Sequence, residues 1–234
     1  MSAIFKREFG SYFSSPVGYA VLAAYMFFSG IFFYVQCLFL GSSSMTMVFQ
    51  QMFFIVLFVI PLITMRTFSE EKRQKTEQAL LTAPVGIPSI VGAKFLSSLA
   101  MFALCLCSYI IEGVALSFMT QPDWSVIIGN VFAMAILGSS FIAMGLFISS
   151  LTESAIVAAI VSFVLNVLIS IMDTISGTVS WDALTNITNA ISFQKKYNNF
   201  SLGLISLSDV MFFVSVTFIF LFLTDRVIER RRCA

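Results

Sequence analysis

The chain has 234 residues, 59% of them hydrophobic and 11% charged, with a mean hydropathy of +0.96; soluble domains average roughly 45–50% apolar and about 25% charged residues. Thirteen Lys and Arg stand against 12 Asp and Glu, so a net charge of +1 offers neither a basic excess for nucleic acid nor an acidic block. Histidine, the commonest metal ligand and general base, is absent, and Cys37, Cys105, Cys107 and Cys233 form no CxxC pair, so no metal site or disulfide framework is expected.

What remains is an all-α integral membrane protein, because lipid offers no partner to backbone groups and a helix pairs its own. Residues 1–15 open the chain as an amphipathic helix. At 100° per residue, Phe5, Phe9, Tyr12 and Phe13 share an arc of about 100°, with Arg7, Gly10, Ser11 and Ser14 opposite. Such a helix lies in the membrane interface with its aromatics at the acyl boundary, and Pro16 marks the turn into the first span. Six apolar segments then come near the roughly 20 residues that cross a bilayer: Val17–Leu40, Phe49–Met65, Phe95–Met119, Val126–Ser149, Ala155–Met172 and Val210–Thr224. The first is too long for the roughly 7–15-residue core of a signal peptide, and no cleavage pattern follows it. Six crossings put both termini on one side. Eleven of the 13 basic residues fall there, leaving only Lys195 and Lys196 opposite, so that side is expected to be cytoplasmic.

Two connections are long enough for structure of their own. Residues 66–88 hold most of the cytoplasmic charge. Ser69 is expected to cap a helix with Glu70 and Glu71 in its first turn and Lys72, Arg73 and Lys75 following. Glu71 with Lys75, and Arg73 with Glu77, have i, i+4 spacing, while Ala79, Leu80 and Ala83 add apolar area before Pro84 ends the helix. A helix of this kind suits docking onto another protein; a solvated loop whose charges only fix topology is the alternative. On the other side, residues 173–209 mix Trp181, Phe193, Tyr197 and Phe200 with Lys195, Lys196, Asn198 and Asn199. Long loops that keep aromatics usually carry structure or function, with a plain surface loop as the alternative. Within the spans, Glu112 is the one acidic residue deep in hydrocarbon, where a charge costs about 2.5–3.5 kcal/mol. Glu112 and Asn166 are candidates for a gate or substrate contact, or for bonding to a neighbouring helix. Ala135, Ser139 and Ala143 make a small-residue row for close helix packing.

Several blocks together resemble the ABC-type-2 transporter permeases, of the type V exporter kind. They are Phe68, Glu70-Glu71-Lys72-Arg73, Thr76-Glu77, Leu80-Leu81 and Pro84-Val85, then Gly92 and Lys94-Phe95. The resemblance continues in Gly145-Leu146, Ser149-Ser150-Leu151-Thr152 and Ala158. Its last part, Tyr197, Phe200, Gly203, Ser208-Asp209, Phe220 to Thr224 and Glu229 to Arg232, is most similar to the gliding-motility GldF-like branch. Lys75 departs from the glycine common before the Thr-Glu, and Ser154-Ala155 from the Asn-Gln often found after the fourth span. The resemblance implies a six-helix permease that pairs with a second permease copy, as a homodimer or heterodimer, and docks two copies of a cytoplasmic ATPase. It makes 66–88 the coupling helix, residues 1–15 a connecting helix beside it, and residues 173–209 re-entrant helices. No GxxxxGK[ST] phosphate loop occurs, so ATP and magnesium are expected on the partner ATPase and no cofactor in this chain.

The expected function is therefore that of an ATP-driven export permease in a bacterial plasma membrane, with lipidic, peptide or drug-like cargo. The alternative is a mechanical transmitter that couples ATPase strokes to an extracytoplasmic accessory protein on residues 173–209. A proton-coupled carrier centred on Glu112 ranks third, since such carriers usually hold several intramembrane ionisable groups. An intramembrane enzyme is weaker still, lacking any recognisable nucleophile and base.

Overall fold

The computed structural model describes residues 2–76, 86–175, 192–201 and 206–232, and the regular structure among them is helical throughout. Helix α1 (Ser2–Ser14) gives way at Ser15, whose extended backbone and hydroxyl cap the next helix by accepting from the Val17 amide at 3.2 Å. Pro16 then sits in the first turn of α2 (Pro16–Phe33), where its missing N–H removes nothing. A π-helical run, Tyr34–Phe39, extends α2 to nearly the expected end of the first span.

Helix α3 (Thr46–Thr64) contains Pro61. Proline cannot donate to the carbonyl one turn earlier, and lipid does not replace the lost bond. Asn166 supplies a donor from another helix, with its side-chain amide 3.5 Å from the Leu57 carbonyl. After a turn, the short α4 (Ser69–Arg73) follows.

Helix α5 (Ile87–Ser117) starts eight residues before the expected third span, because Pro88 is favourable in a first turn and nothing after it breaks the helix. At about 1.5 Å per residue, its 31 residues exceed the roughly 30 Å hydrocarbon core by several turns. Lys94, expected in a loop, therefore lies two turns inside this helix.

Helix α6 (Trp124–Leu151) is apolar on every face and packs against α3, α5, α7 (Ala155–Ile175), α8 (Phe193–Ser201) and α9 (Leu207–Arg232). Two glycines let its neighbours approach. A Cβ at Gly138 would collide with the Phe102 ring, and one at Gly145 with the Thr64 side chain. From the small-residue row, Ser139 meets Thr217 of α9 at 3.3 Å, and the adjacent Ser140 donates to the Phe213 carbonyl at 2.9 Å. Ser139 of the row thus bonds to a neighbouring helix.

Among the described residues, five helical stretches are long and apolar enough to cross a membrane: Pro16–Phe39, Thr46–Arg73, Ile87–Ser117, Trp124–Leu151 and Leu207–Arg231. The remaining expected crossing corresponds to a shorter apolar helix, Ala155–Ile171. Phe27, Phe39, Ile156 and Phe218 are each more than 60% exposed, an outward apolar surface that lipid or another membrane chain covers. Among the expected site residues, Glu77, Leu80, Leu81, Trp181 and Gly203 lie outside the described residues. So do the Arg73–Glu77 pair and the helix end at Pro84.

Candidate functional site

The charged end of the bundle is built around Lys94, whose side chain is 0% exposed. A buried ammonium needs partners for its charge and for its three N–H donors. Its Nζ lies 2.7 Å from the Thr67 carbonyl, 2.9 Å from Glu71 Oε2 and 3.2 Å from Glu8 Oε1, and it sits over the Phe68 ring at 5.0 Å. Arg7 closes the figure, with Nη2 at 2.7 Å from both Glu8 Oε1 and Glu71 Oε1. Arg7, Glu8, Lys94 and Glu71 thus form a ring of alternating charge contributed by α1, α4 and α5. The hydrogen bond that Arg7 donates to Glu8 is foremost in raising the guanidinium above its usual pKa.

Sequence reasoning left out Glu8, and it treated Lys94 as one of several loop cations. A signal for Glu8 existed, because it borders Tyr12 at the edge of the aromatic arc. That arc does not face lipid as a unit. The Tyr12 hydroxyl enters the bundle, 3.1 Å from the Ile63 carbonyl and 3.0 Å from Ser98 Oγ, and burial raises its pKa. Phe5, Phe9 and Phe13 form a half-buried ladder that ends on Tyr19, with centroids 5.4–5.8 Å apart. A cleft of about 460 Å³ lies between α1 and α4, bordered by Arg7, Glu8, Arg66, Glu70 and Glu71.

Helix α4 departs from expectation at both ends. Ser69 does not cap it: its hydroxyl turns back to the Met65 carbonyl, and the position before the helix is Phe68. The cap comes from α6, where Ser149 Oγ accepts from the Phe68 and Ser69 amides at 3.2 and 3.3 Å and lies 3.2 Å from the Met65 carbonyl. At the other end Lys75 has φ +57, the left-handed conformation that usually needs glycine. The Thr76 amide reaches the Glu71 carbonyl at 3.0 Å and the Lys75 amide the Lys72 carbonyl at 3.1 Å, a Schellman ending. The helix therefore breaks at Lys75 instead of running on, and Glu71 pairs with Arg7 and Lys94 in place of Lys75.

Around this core, Lys72 pairs with Glu153 at 3.1 Å, Arg66 donates to Ser15 at 3.1 Å, and Arg231 near the end of α9 donates to the Ser150 carbonyl at 2.5 Å. The outer helices α1 and α9 thus meet the same end of the bundle. Arg73 is 70% exposed, and Gln74, Lys75 and Thr76 are exposed beside it.

Farther along the bundle, Ser29 of α2 donates to Glu112 of α5, and Glu112 Oε2 is buried without a hydrogen-bond partner. One turn away, the Tyr25 and Tyr109 hydroxyls meet at 2.8 Å. Glu112 therefore ties α2 to α5, and Asn166 ties α7 to the carbonyl that Pro61 frees. Neither is near the charged ring. At the far end, Phe193, Tyr197 and Phe200 form one buried face of α8, so this stretch is not a plain surface loop. Tyr197 stacks on Phe53 at 5.4 Å and donates to the Phe49 carbonyl at 3.1 Å, while Lys196 pairs with Asp209 at 3.2 Å.

An all-helical bundle with several membrane-length helices and a polar junction at one end defines a multi-pass membrane subunit. The family described as ABC-2 family transporter protein matches residues 24–227, and the chain belongs to it. Members of this family are membrane subunits without an ATPase site of their own, and they associate with an ABC ATPase subunit. Among curated proteins, no sequence matches the chain.

Proposed function

We propose that the chain is the permease of an ATP-driven exporter in a bacterial plasma membrane, and that α4 is the element its ATPase subunits push. The observation that carries this reading is the closed charge ring of Arg7, Glu8, Lys94 and Glu71. Through it, a short charged helix is fastened to α1 and α5, and through Ser149 to α6, so a displacement of α4 loads three long or interfacial helices together. The exposed edge from Arg73 to Thr76 is left for the partner, whose bound ATP and magnesium supply the energy. Two ATPase copies and a second permease copy complete the assembly. In this reading Ala155–Ile171, though short, is the sixth crossing; that α1 and α9 reach the same end of the bundle supports an even number, and the bias of the basic residues supports a cytoplasmic side for that end. Residues 1–15 then rest at the inner interface, while α8 belongs to the outer end and dips into it as a re-entrant helix. Glu112 acts as a latch between α2 and α5 that cargo passage opens.

The test is charge reversal on the exposed edge, Arg73→Glu and Lys75→Glu together, with Glu71 untouched because it belongs to the ring and Lys72 untouched because it pairs with Glu153. Co-purification with the ATPase subunit should be lost while the permease still inserts and melts normally. Unchanged co-purification would remove α4 from the docking role.

A further inference from the structure

Amide side chains collect at the end of the bundle opposite the charged ring. A cleft of about 460 Å³ opens there between the end of α2, the start of α3 and α8. Gln50, Gln51, Gln194 and Asn198 border it, with Phe32 and Phe54 on its apolar side, and none of the described residues lining it is charged. Its volume falls within the roughly 300–1,000 Å³ of small-molecule sites. Gln50 is held by its Nε2 donating to Ser201 Oγ at 3.1 Å, which fixes its direction. Gln51 Oε1 is buried with no hydrogen-bond partner among the described residues, an acceptor that a bound donor would satisfy. The Phe53 and Phe54 rings meet edge to face at 5.6 Å. Phe54 is 57% and Met47 56% exposed, so the cleft opens sideways onto the apolar surface of the bundle.

These features specify a ligand. A cleft that opens at membrane depth admits molecules from the bilayer, so the ligand is an amphiphile whose chain lies along Met47 and Phe54. Amide groups both donate and accept, which matches a headgroup dense in hydroxyls, each of which also does both. A phosphate or ammonium would find no countercharge among the described lining residues, the nearest cation on α8 being Lys195 beside Gln194, whereas neutral hydroxyls match the amides directly. The apolar C–H face of a sugar ring finds Phe32 and Phe54.

We propose that this cleft binds the headgroup of a glycosylated lipid from the leaflet at the α8 end of the bundle. Describing that lipid as cargo rests on the permease reading above; its binding does not. Lipid retention is measured by native mass spectrometry on the full chain. The chain is released from bilayer discs of equal phosphatidylethanolamine, phosphatidylglycerol and monoglucosyl-diacylglycerol. The glucosyl lipid should be enriched over its bulk share, and Gln51→Leu or Asn198→Leu should each lower the enrichment about fivefold, the worth of about one hydrogen bond. Asn198→Asp gives a second reading if a leucine variant fails to fold, because a fixed negative charge beside the headgroup should lower it as well. Enrichment of either phospholipid overturns the proposal, as does no enrichment of any lipid or equal enrichment in the folded variants. Preference for a lipopeptide added in competition also overturns it. Sugar-lipid binding without ATPase co-purification would sink the permease reading alone, and the reverse result would sink this one alone.

Discussion

Lys94 shows what a single buried charge does. The ring around it carries two positive and two negative groups, so no net charge is buried, yet removing one member strands the others. Lys94→Met is expected to lower stability by about 3–5 kcal/mol, seen as a fall in the melting temperature of the purified protein. Glu8→Gln in the same chain should recover part of that loss, since it removes one of the two stranded carboxylates. Lys75 makes the opposite case. Its left-handed backbone is strained for any residue with a Cβ. Lys75→Gly is expected to raise stability by about 1 kcal/mol, read from the same melt. This position also shows why a family with glycine there is intelligible: the glycine ends a short helix, and its absence here leaves the turn in place under strain. The sequence showed the substitution but not the sign of its effect, because φ is not legible from residue types.

At the scale of elements, helices stood out in the sequence wherever apolar length decided them. Trp124–Leu151 extends the expected fourth span by only two residues at each end, because lipid rewards one unbroken helix and little else competes. The misses share a different cause: partners supplied from elsewhere in the chain. Ser69 looked like a cap from its neighbours, whereas Ser149, 80 positions away, makes the cap bonds. Ser149→Ala should cost about 1–2 kcal/mol in the melt and free the start of α4, measured as faster amide exchange at Phe68 and Ser69. Asn166 was open to two readings, a gate contact or a bond to a neighbouring helix, and only the second has a partner among the described residues. The Leu57 carbonyl gives it a structural task that exists only because Pro61 stands one turn later. Asn166→Ala should therefore destabilise by about 1–2 kcal/mol in the native sequence and by less in a Pro61→Ala background, where the helix bonds its own carbonyl. Equal effects in both backgrounds would separate the two residues.

For the whole molecule, charge was the most informative property of the sequence and also the most incomplete. Counting basic residues gave an orientation, but it treated Lys94 as equivalent to Arg73, when one is buried and holds helices together and the other is exposed and pairs only with Glu70 of its own short helix, at 3.8 Å. Orientation itself is open to direct measurement. In a background without native cysteines, Lys6→Cys and Arg230→Cys should react with a membrane-impermeant maleimide only in inverted vesicles, and Lys195→Cys only in intact cells. Labelling of Lys6→Cys and Arg230→Cys from opposite sides would mean an odd number of crossings. The ring has a further consequence for how the protein is made. Synthesis delivers Glu8 first, Glu71 next and Lys94 last, so the two carboxylates emerge before the cation placed between them. Until residue 94 leaves the ribosome, Glu8 and Glu71 share only Arg7 within the ring, and α1 lacks its ion pair to α5. Helix α1, although translated before α4 and α5, therefore gains its full set of ring contacts only after both, and a ribosome paused before position 94 would hold it without its bond to α5.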